Sequence, residues 1–145
     1  MKISEAQIKE IADELEMGMV CHYHVLEGEF VCFPDTDDAF FDLDPWQESI
    51  DKVEEDEEHY VKIVKMDSRR SFQVMADFTD QLPDNRLRNK LHSILDRSKP
   101  FRNFKFEIDY SDYRQDWFDF RKIAYIDWVK KQLRLAMEED QNLLG

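Results

Sequence analysis

The chain has 145 residues and a mass of 17.6 kDa, which is the usual size of one domain. Its 42% hydrophobic and 13% aromatic content excludes a disordered chain, although 37% of the residues are charged. A formal net charge of −13 argues against bulk electrostatic binding to nucleic acid or to anionic membranes. Three glycines are too few for a glycine-rich loop that cradles phosphate groups.

Cysteine content and the N-terminus predict a cytoplasmic protein. The two cysteines, Cys21 and Cys32, are too few for a disulfide framework, and the N-terminus has no apolar signal core. No apolar run approaches the ~18–20 residues of a membrane-spanning helix. We therefore expect no membrane segment, and we expect that neither cysteine is disulfide-bonded or catalytic.

The N-terminal segment predicts a helix followed by a β-hairpin. Ser4 and Gln7 form a capping-box pattern, and apolar residues then recur at helical spacing until Gly18. Residues 20–25 and 29–33 read as two strands joined by a two-residue turn around Gly28. This register places Cys21, Tyr23, Val25, Phe30 and Cys32 on one face, and His22, His24, Val31 and Phe33 on the other.

An Asp-rich loop and a third strand complete the N-terminal half. Residues 34–45 form the loop, and Trp46, Ile50 and Val53 provide the apolar face of a short helix. Residues 60–64 alternate in the manner of a strand. The sheet is therefore predicted to consist of a hairpin and one further strand.

The C-terminal half reads as wholly helical. Helix starts are predicted near Asp67 or Ser68, Asp84, Pro100 and Ser111. The last helix is long, and its predicted buried stripe is Tyr113, Trp117, Phe120, Ala124 and Trp128. The fold class is therefore α+β: a small antiparallel sheet with an N-terminal helix and a helical C-terminal half.

Charge is unevenly distributed between the two halves. Residues 1–66 hold 19 acids and 5 bases, a net charge of −14, whereas residues 67–110 have a net charge of +2. No Gly/Pro/Ser-rich linker separates the halves. We therefore predict a single domain over residues 1–145, with an acidic half (1–66) and a helical half (67–145).

Two polar groups in the acidic half could bind a cation. The acidic run over residues 51–58 could chelate a cation or imitate a phosphate backbone, but charge runs are usually solvated helix faces. His22 and His24 share one strand face, as two metal ligands would. This register supplies no third ligand nearby, so we interpret both as hydrogen-bonded histidines and predict no metal.

The most distinctive stretch interleaves bases with aromatic residues over 99–105 and 117–121. The candidate residues for an anionic-ligand site are Arg102, Asn103, Lys105, Trp117 and Arg121. The structural alternative is that the aromatic rings are core and that the cations pair with carboxylates of this chain. Arg69 and Arg70, at a helix start, form a weaker second candidate anion site.

Several stretches together resemble the bacterial uncharacterised protein family 0158. They are Glu16-Met17-Gly18-Met19, residues 68–72 and 75–78, Lys99-Pro100-Phe101-Arg102-Asn103-Phe104-Lys105, and Trp117-Phe118-Asp119-Phe120-Arg121. The resemblance covers nearly the whole chain. It implies a small, acidic, cytoplasmic bacterial protein, and it supplies no activity, cofactor or catalytic set.

Two functions of different class follow. The first is a non-enzymatic cytoplasmic binding or regulatory protein whose acidic half docks a basic protein partner. The second is a small protein, or an enzyme, that binds an anionic ligand such as a phosphate or nucleotide through residues 99–121. The sequence contains no catalytic motif, and we predict no cofactor.

Overall fold

The computed structural model describes residues 3–38, 40 and 42–144, with side chains as far as residue 139. Over these residues the chain forms six α-helices and one three-stranded antiparallel sheet, which confirms the predicted α+β class. The chain divides into two compact units. We call Met1–Lys65 with Tyr125–Gly145 the sheet unit, and Met66–Ala124 the helical unit. That the whole chain is one domain stays a prediction.

The sheet unit contains the helices and strands of the N-terminal part of the chain. They are α1 (Glu5–Glu16), β1 (Val20–His24), β2 (Phe30–Phe33), α2 (Gln47–Glu55) and β3 (Tyr60–Ile63). Two 3₁₀ turns, Asp44–Trp46 and Glu57–His59, flank α2. The strand order is β2-β1-β3, so β1 is the central strand.

The first helix begins at the predicted capping box. The Ser4 hydroxyl accepts from the Gln7 backbone N–H at 3.1 Å, and the Gln7 side chain accepts from the Ser4 backbone N–H at 3.1 Å. The Gln7 amide also donates to the Gly28 carbonyl at 2.6 Å, which joins the helix start to the hairpin turn. The buried face of α1 consists of Ile8, Ile11, Ala12 and Leu15.

The hairpin register differs from the predicted one by two residues. Tyr23 is paired with Phe30 rather than with Cys32. The turn has four residues, 25–28, because the His24 N–H donates to the Glu29 carbonyl and the Gly28 N–H to the His24 carbonyl. A slip of two residues leaves every side chain on its predicted face, since strand side chains alternate with a period of two.

The expectation that the cysteines are not disulfide-bonded is wrong. The observed register places Cys21 directly opposite Cys32, with their Cα atoms 4.2 Å apart, and the structure joins them in a disulfide. A two-residue turn would have placed Cys21 opposite Pro34, too far along the strand to reach Cys32. The expectation rested on the small number of cysteines and the predicted compartment, and the predicted turn length gave no reason to revise it.

Both faces of β1 are covered, so all five of its residues are buried. On one face, the Cys21 sulfur lies 4.0 Å from the Ile11 carbonyl oxygen of α1. On the other face, α2 contributes Ile50 and Val53 to a cluster with Phe33, as its predicted apolar face requires.

The buried residues of the long helix α6 (Arg114–Leu144) differ from the predicted buried stripe. Trp117 is buried, but Phe120, Ala124 and Trp128 are only half-buried. The buried residues farther along are Tyr125, Val129 and Leu133. Trp128 lies beside this seam because its indole N–H donates to the Val64 carbonyl at 2.7 Å, just after β3.

The helical unit contains α3 (Ser68–Gln81), α4 (Asn85–Leu95), α5 (Pro100–Asp109) and the start of α6. Asp67 and Asp84 cap α3 and α4, as predicted. The start of α6 is Arg114 rather than Ser111, whose hydroxyl instead accepts from the Tyr113 N–H in the preceding turn.

Within the described residues, no helix combines the length and the apolar character needed to cross a membrane.

Reduction of the Cys21–Cys32 bond is expected to lower the free energy of unfolding by about 2–3 kcal/mol. The bond closes a loop with a sequence separation of 11, and cross-linking so short a loop restricts the unfolded chain by about that amount. Urea unfolding with and without a phosphine reductant measures the difference. The Cys21→Ala/Cys32→Ala variant is the control and should be insensitive to reductant; equal stability of the oxidised and reduced wild type would refute the expectation.

Candidate functional site

Three titratable side chains meet where the hairpin turn, the end of α2 and the start of β3 come together. His24 ends β1, Asp56 follows α2, and His59 precedes β3. His24 Nε2 lies 2.7 Å from Asp56 Oδ2, and His59 Nδ1 lies 2.7 Å from Asp56 Oδ1. We call these three residues the His–Asp–His cluster. It lies entirely in the sheet unit and is buried at His24 but half-exposed at Asp56 and His59.

Hydrogen bonds from the backbone determine the tautomer of His24. The N–H groups of Leu26 and Glu27 donate to His24 Nδ1, at 3.3 and 3.0 Å. Nδ1 must therefore be an acceptor, and Nε2 is the nitrogen that carries a proton and donates to Asp56. The His24 ring lies between the hairpin turn and the Asp56 carboxylate. It also contacts the Tyr60 ring in an edge-to-face arrangement, with the two ring centroids 4.8 Å apart.

Asp56 and His59 stabilise each other's charged forms. Hydrogen bonds from His24 and from His59 lower the pKa of the Asp56 carboxyl. The hydrogen bond to Asp56, with the charges of Asp56 and Glu58, raises the pKa of His59 against the opposing effect of burial. A carboxylate that accepts from two imidazoles orients both rings, as an Asp orients a catalytic histidine.

The cluster has the composition of a metal site, but its hydrogen bonds oppose this role. The three ligand atoms all lie within 4.8 Å of one another. A metal bound at His24 Nε2 would require the proton to move to Nδ1, where two backbone N–H groups already donate. Ligating histidines normally donate their other N–H to an acceptor, and here that arrangement is reversed. The described geometry therefore favours a hydrogen-bonded cluster that joins three elements.

Sequence reasoning missed two members of this cluster. Asp56 was considered only as one of six acids in the run over residues 51–58. The prediction that no third possible ligand lies near the strand histidines was wrong, since both Asp56 and His59 lie beside His24. His59 reaches His24 because antiparallel pairing of β1 with β3 places His24 opposite Tyr60, directly after His59. The spacing of Asp56 and His59, three residues apart before a strand, was the available signal.

His22, the other weak metal candidate, lies on the same sheet face but takes no part in the cluster. Its ring stacks on Phe33 with centroids 4.5 Å apart, and its Nε2 is buried without a hydrogen-bond partner among the described residues. Burial, followed by the charge of Lys62 on the adjacent strand, lowers the pKa of His22 to about 4. His22 is therefore uncharged in the folded protein at neutral pH.

The predicted basic and aromatic residues do not share one surface. Trp117 is buried in the helical unit, with its ring 5.2 Å from Phe78 and 4.9 Å from Phe104 between centroids. Arg121 is half-buried on α6. The other three candidates are exposed on α5: Arg102, Asn103 and Lys105. A ligand held by the α5 cations therefore would not stack on the Trp117 ring.

Two of the α5 candidates already have partners within the helix or next to it. Lys105 lies 3.5 Å from Asp109, and the Asn103 amide donates to the Ser98 carbonyl at 3.3 Å. Arg102 forms no ion pair among the described residues. The anionic-ligand site on α5 stays a prediction that rests chiefly on Arg102.

The second candidate anion site lies in the first turn of α3. Arg69 and Arg70 are both exposed there. The backbone N–H of Arg70 donates to the Asp67 carboxylate at 2.7 Å, so the capping residue already occupies one donor that an anion would use. This site also stays a prediction.

The most concentrated charge lies on residues 35–58, which we call the acidic segment. It holds twelve acids and one base, Lys52, and ten of the acids are exposed. In the described structure its acids form ion pairs only with the histidines, through Asp56 and Glu58, while Lys52 pairs with Glu29 outside the segment. The segment thus presents nearly uncompensated negative charge to solvent.

The comparison with protein families agrees with the sequence resemblance. The model of an uncharacterised protein family, UPF0158, matches residues 7–145. The chain therefore belongs to UPF0158, which confirms the resemblance found from the sequence. Neither a curated protein nor a solved structure matches the chain.

We predict that Asp56→Asn lowers the pKa of His59 towards its ordinary value of 6.5, because it removes the carboxylate that favours the imidazolium. The pair of Asp56 and protonated His59 stabilises the folded protein. This stabilisation is present below pH 6.5 and is lost as the pH rises through the raised pKa of His59. A pH titration of the histidine Cε1–H resonances measures the change. Glu58→Gln is the matched control, since Glu58 is 3.9 Å from His59; an equal shift in both variants would contradict the assigned role of Asp56.

The buried His22 predicts a loss of stability in mild acid. The unfolded chain binds a proton at His22 near pH 6.5, whereas the folded chain binds it only near pH 4. The free energy of unfolding therefore falls by up to about 3 kcal/mol as the pH falls across this interval. Urea unfolding at several pH values should show that His22→Phe gains stability relative to the wild type as the pH falls. His92→Gln is the control, and parallel curves for His22→Phe and wild type would show that the expectation is wrong.

Proposed function

We propose that this protein is a non-enzymatic cytoplasmic binding or regulatory protein that docks a basic protein partner on the acidic segment. The observation that carries the proposal is the density of exposed, largely unpaired carboxylates over residues 35–58. Like charges held this close repel one another, and a basic surface would relieve that repulsion on binding. The same charge would steer a basic partner during association.

An exposed aromatic residue within the segment supports protein docking rather than a merely solvated surface. Phe40 is 98% exposed in the loop that precedes α2. Asp38 accepts from the Phe40 backbone N–H at 2.9 Å, which gives the residue that carries this ring one local contact. Aromatic anchors surrounded by polar residues are typical of the energetically dominant positions of protein interfaces.

The uneven charge of the molecule gives the proposal a specific surface. The sheet unit has a net charge of −15, whereas the helical unit has a net charge of +2. A basic partner is therefore attracted to the sheet unit and not to the chain as a whole. Within that unit, the acidic segment alone contributes −11.

The cytoplasmic location is part of the same proposal. The bias towards acidic residues and the small number of cysteines support it. The Cys21–Cys32 bond is the feature least typical of that compartment, because cytoplasmic thiols are kept reduced. The reduction experiment described above measures how much the fold depends on that bond.

A charge-neutralised variant tests the docking surface. We predict that Asp35→Asn/Asp37→Asn/Asp42→Asn together with Phe40→Ser reduces the recovery of a basic partner at least about tenfold. Asn can replace Asp in the turns at residues 35 and 42, since its amide oxygen accepts the same backbone hydrogen bonds. Affinity capture from a bacterial lysate, followed by quantitative mass spectrometry of basic proteins, measures recovery at low and at 0.3 M salt.

The matched control neutralises an equal number of exposed acids outside the segment: Glu10→Gln/Asp127→Asn/Glu138→Gln. The proposal requires that this control retains the partner and that wild-type recovery falls steeply with salt. Equal losses in the two charge variants would show that only bulk acidity matters. Recovery that is independent of salt would exclude electrostatic docking.

One observation favours the alternative function, binding of an anionic ligand on α5. Arg102 is exposed without an ion pair in the described structure, and Phe106, one turn later, is 60% exposed with its ring 4.9 Å from Tyr110. A cation beside exposed aromatic rings suits a nucleotide. A thermal shift with nucleotides that disappears in Arg102→Ala would support this function over protein docking.

A further inference from the structure

A groove in the helical unit combines aromatic walls with carboxylates. It has a volume of about 310 Å³ and lies between the end of α3 and the first turns of α6. Its apolar surface includes Phe78, Leu82 and Phe120, and Tyr113 adds a third aromatic ring. Asp116 and Asp119 also line it, and the lining includes no lysine, arginine or histidine.

Two features of this groove favour positive charge. The faces of aromatic rings attract cations. The end of α3 adds nothing to this, because the Arg88 guanidinium donates to the Leu82 carbonyl at 2.8 Å and offsets the negative end of the helix dipole there. The carboxylates of Asp116 and Asp119 add full negative charge, although the helical unit as a whole has a net charge of +2.

The two carboxylates are not equivalent. Asp116 lies in the first turn of α6, where the positive end of that helix partly offsets its charge. Asp119 lies in the next turn, and its Oδ1 accepts from the Gln115 amide at 2.9 Å, which orients the carboxylate and leaves its other oxygen for a ligand. Asp119 is therefore the residue best placed to accept from a ligand's ammonium group.

We propose that this groove binds a small organic ammonium compound with an apolar or aromatic body. The aromatic walls would hold the body, and Asp119 would accept hydrogen bonds from the ammonium group. The volume lies at the lower end of the range for small-molecule sites, which suits a compound of this size rather than a folded partner. This inference is independent of the acidic segment, which belongs to the other unit.

A matched pair of probes separates charge from shape. The probes are 2-phenylethylammonium and the neutral 2-phenylethanol, each titrated into the whole chain in 0.15 M salt. Two-dimensional amide NMR spectra report where each one binds. We expect saturable shifts confined to residues around the groove, with the ammonium compound binding about five- to tenfold more tightly than the alcohol.

The variant Asp119→Asn tests the carboxylate itself. Asn retains an acceptor for Gln115, so the local helix is kept, while the affinity for the ammonium compound should fall about fivefold and that for the alcohol should not change. Asp77→Asn is the matched control, because Asp77 accepts from the Gln73 amide at 2.8 Å in the same i, i+4 arrangement on α3 but does not line the groove.

Five results would overturn the proposal. Four of them are equal affinity for the two probes, an equal loss in Asp77→Asn, shifts that do not saturate, and shifts that spread over the acidic segment. Tighter binding of N-acetyl-lysine methylamide than of 2-phenylethylammonium would assign the groove to a lysine of a protein partner and would also overturn it.

Discussion

The central strand β1 is buried on both faces, and this constraint determines what surrounds it. Five consecutive residues of β1 are buried, yet two of them are histidines. A buried imidazole must either be hydrogen-bonded or give up its charge. His24 is hydrogen-bonded, since Asp56 and two backbone N–H groups hold both of its nitrogens. His22 gives up its charge, stacked on Phe33 beside a strand that carries Lys62.

The His–Asp–His cluster therefore has a structural role before any other. It ties the hairpin turn, the end of α2 and the start of β3 to one carboxylate, and the Val25 N–H reinforces this contact by donating to the His59 carbonyl at 2.9 Å. Asp56 thus differs from the ten exposed acids of the acidic segment. Asp56 joins three structural elements, whereas the exposed acids remain available for the proposed partner.

The two units differ in the surfaces that they expose. The sheet unit presents carboxylates with Phe40 among them, whereas the helical unit presents a mixed surface that includes an aromatic groove. These surfaces suit different ligands, because a broad field of charge attracts a basic macromolecule and a narrow groove selects by shape. The proposed partner and the proposed ammonium compound therefore do not compete for the same residues.

Local sequence signals were sufficient for most of the helices and for the faces of the strands. Ser4, Asp67, Asp84 and Pro100 mark helix starts through interactions within a few residues, and strand alternation survives a slip of two. The register of the hairpin was not predictable to the residue, since Glu-Gly is a weak turn signal and two turn lengths give the same faces. The absence of a disulfide and the buried face of α6 were both predicted wrongly. Both depend on which residues of different elements lie opposite one another, and short-range patterns do not give this.

The sequence by itself determined the α+β class, the family and the concentration of acids in the first half. These properties depend on composition and on short-range patterns that any conformation of the chain retains. Tertiary structure alone decided that Asp56 and His59 meet His24, that Trp117 packs against Phe78, and that Phe78 and Asp119 line one groove. The reason is physical: residues 32 to 41 positions apart become neighbours only when strands pair and helices pack, and no local pattern encodes those distances.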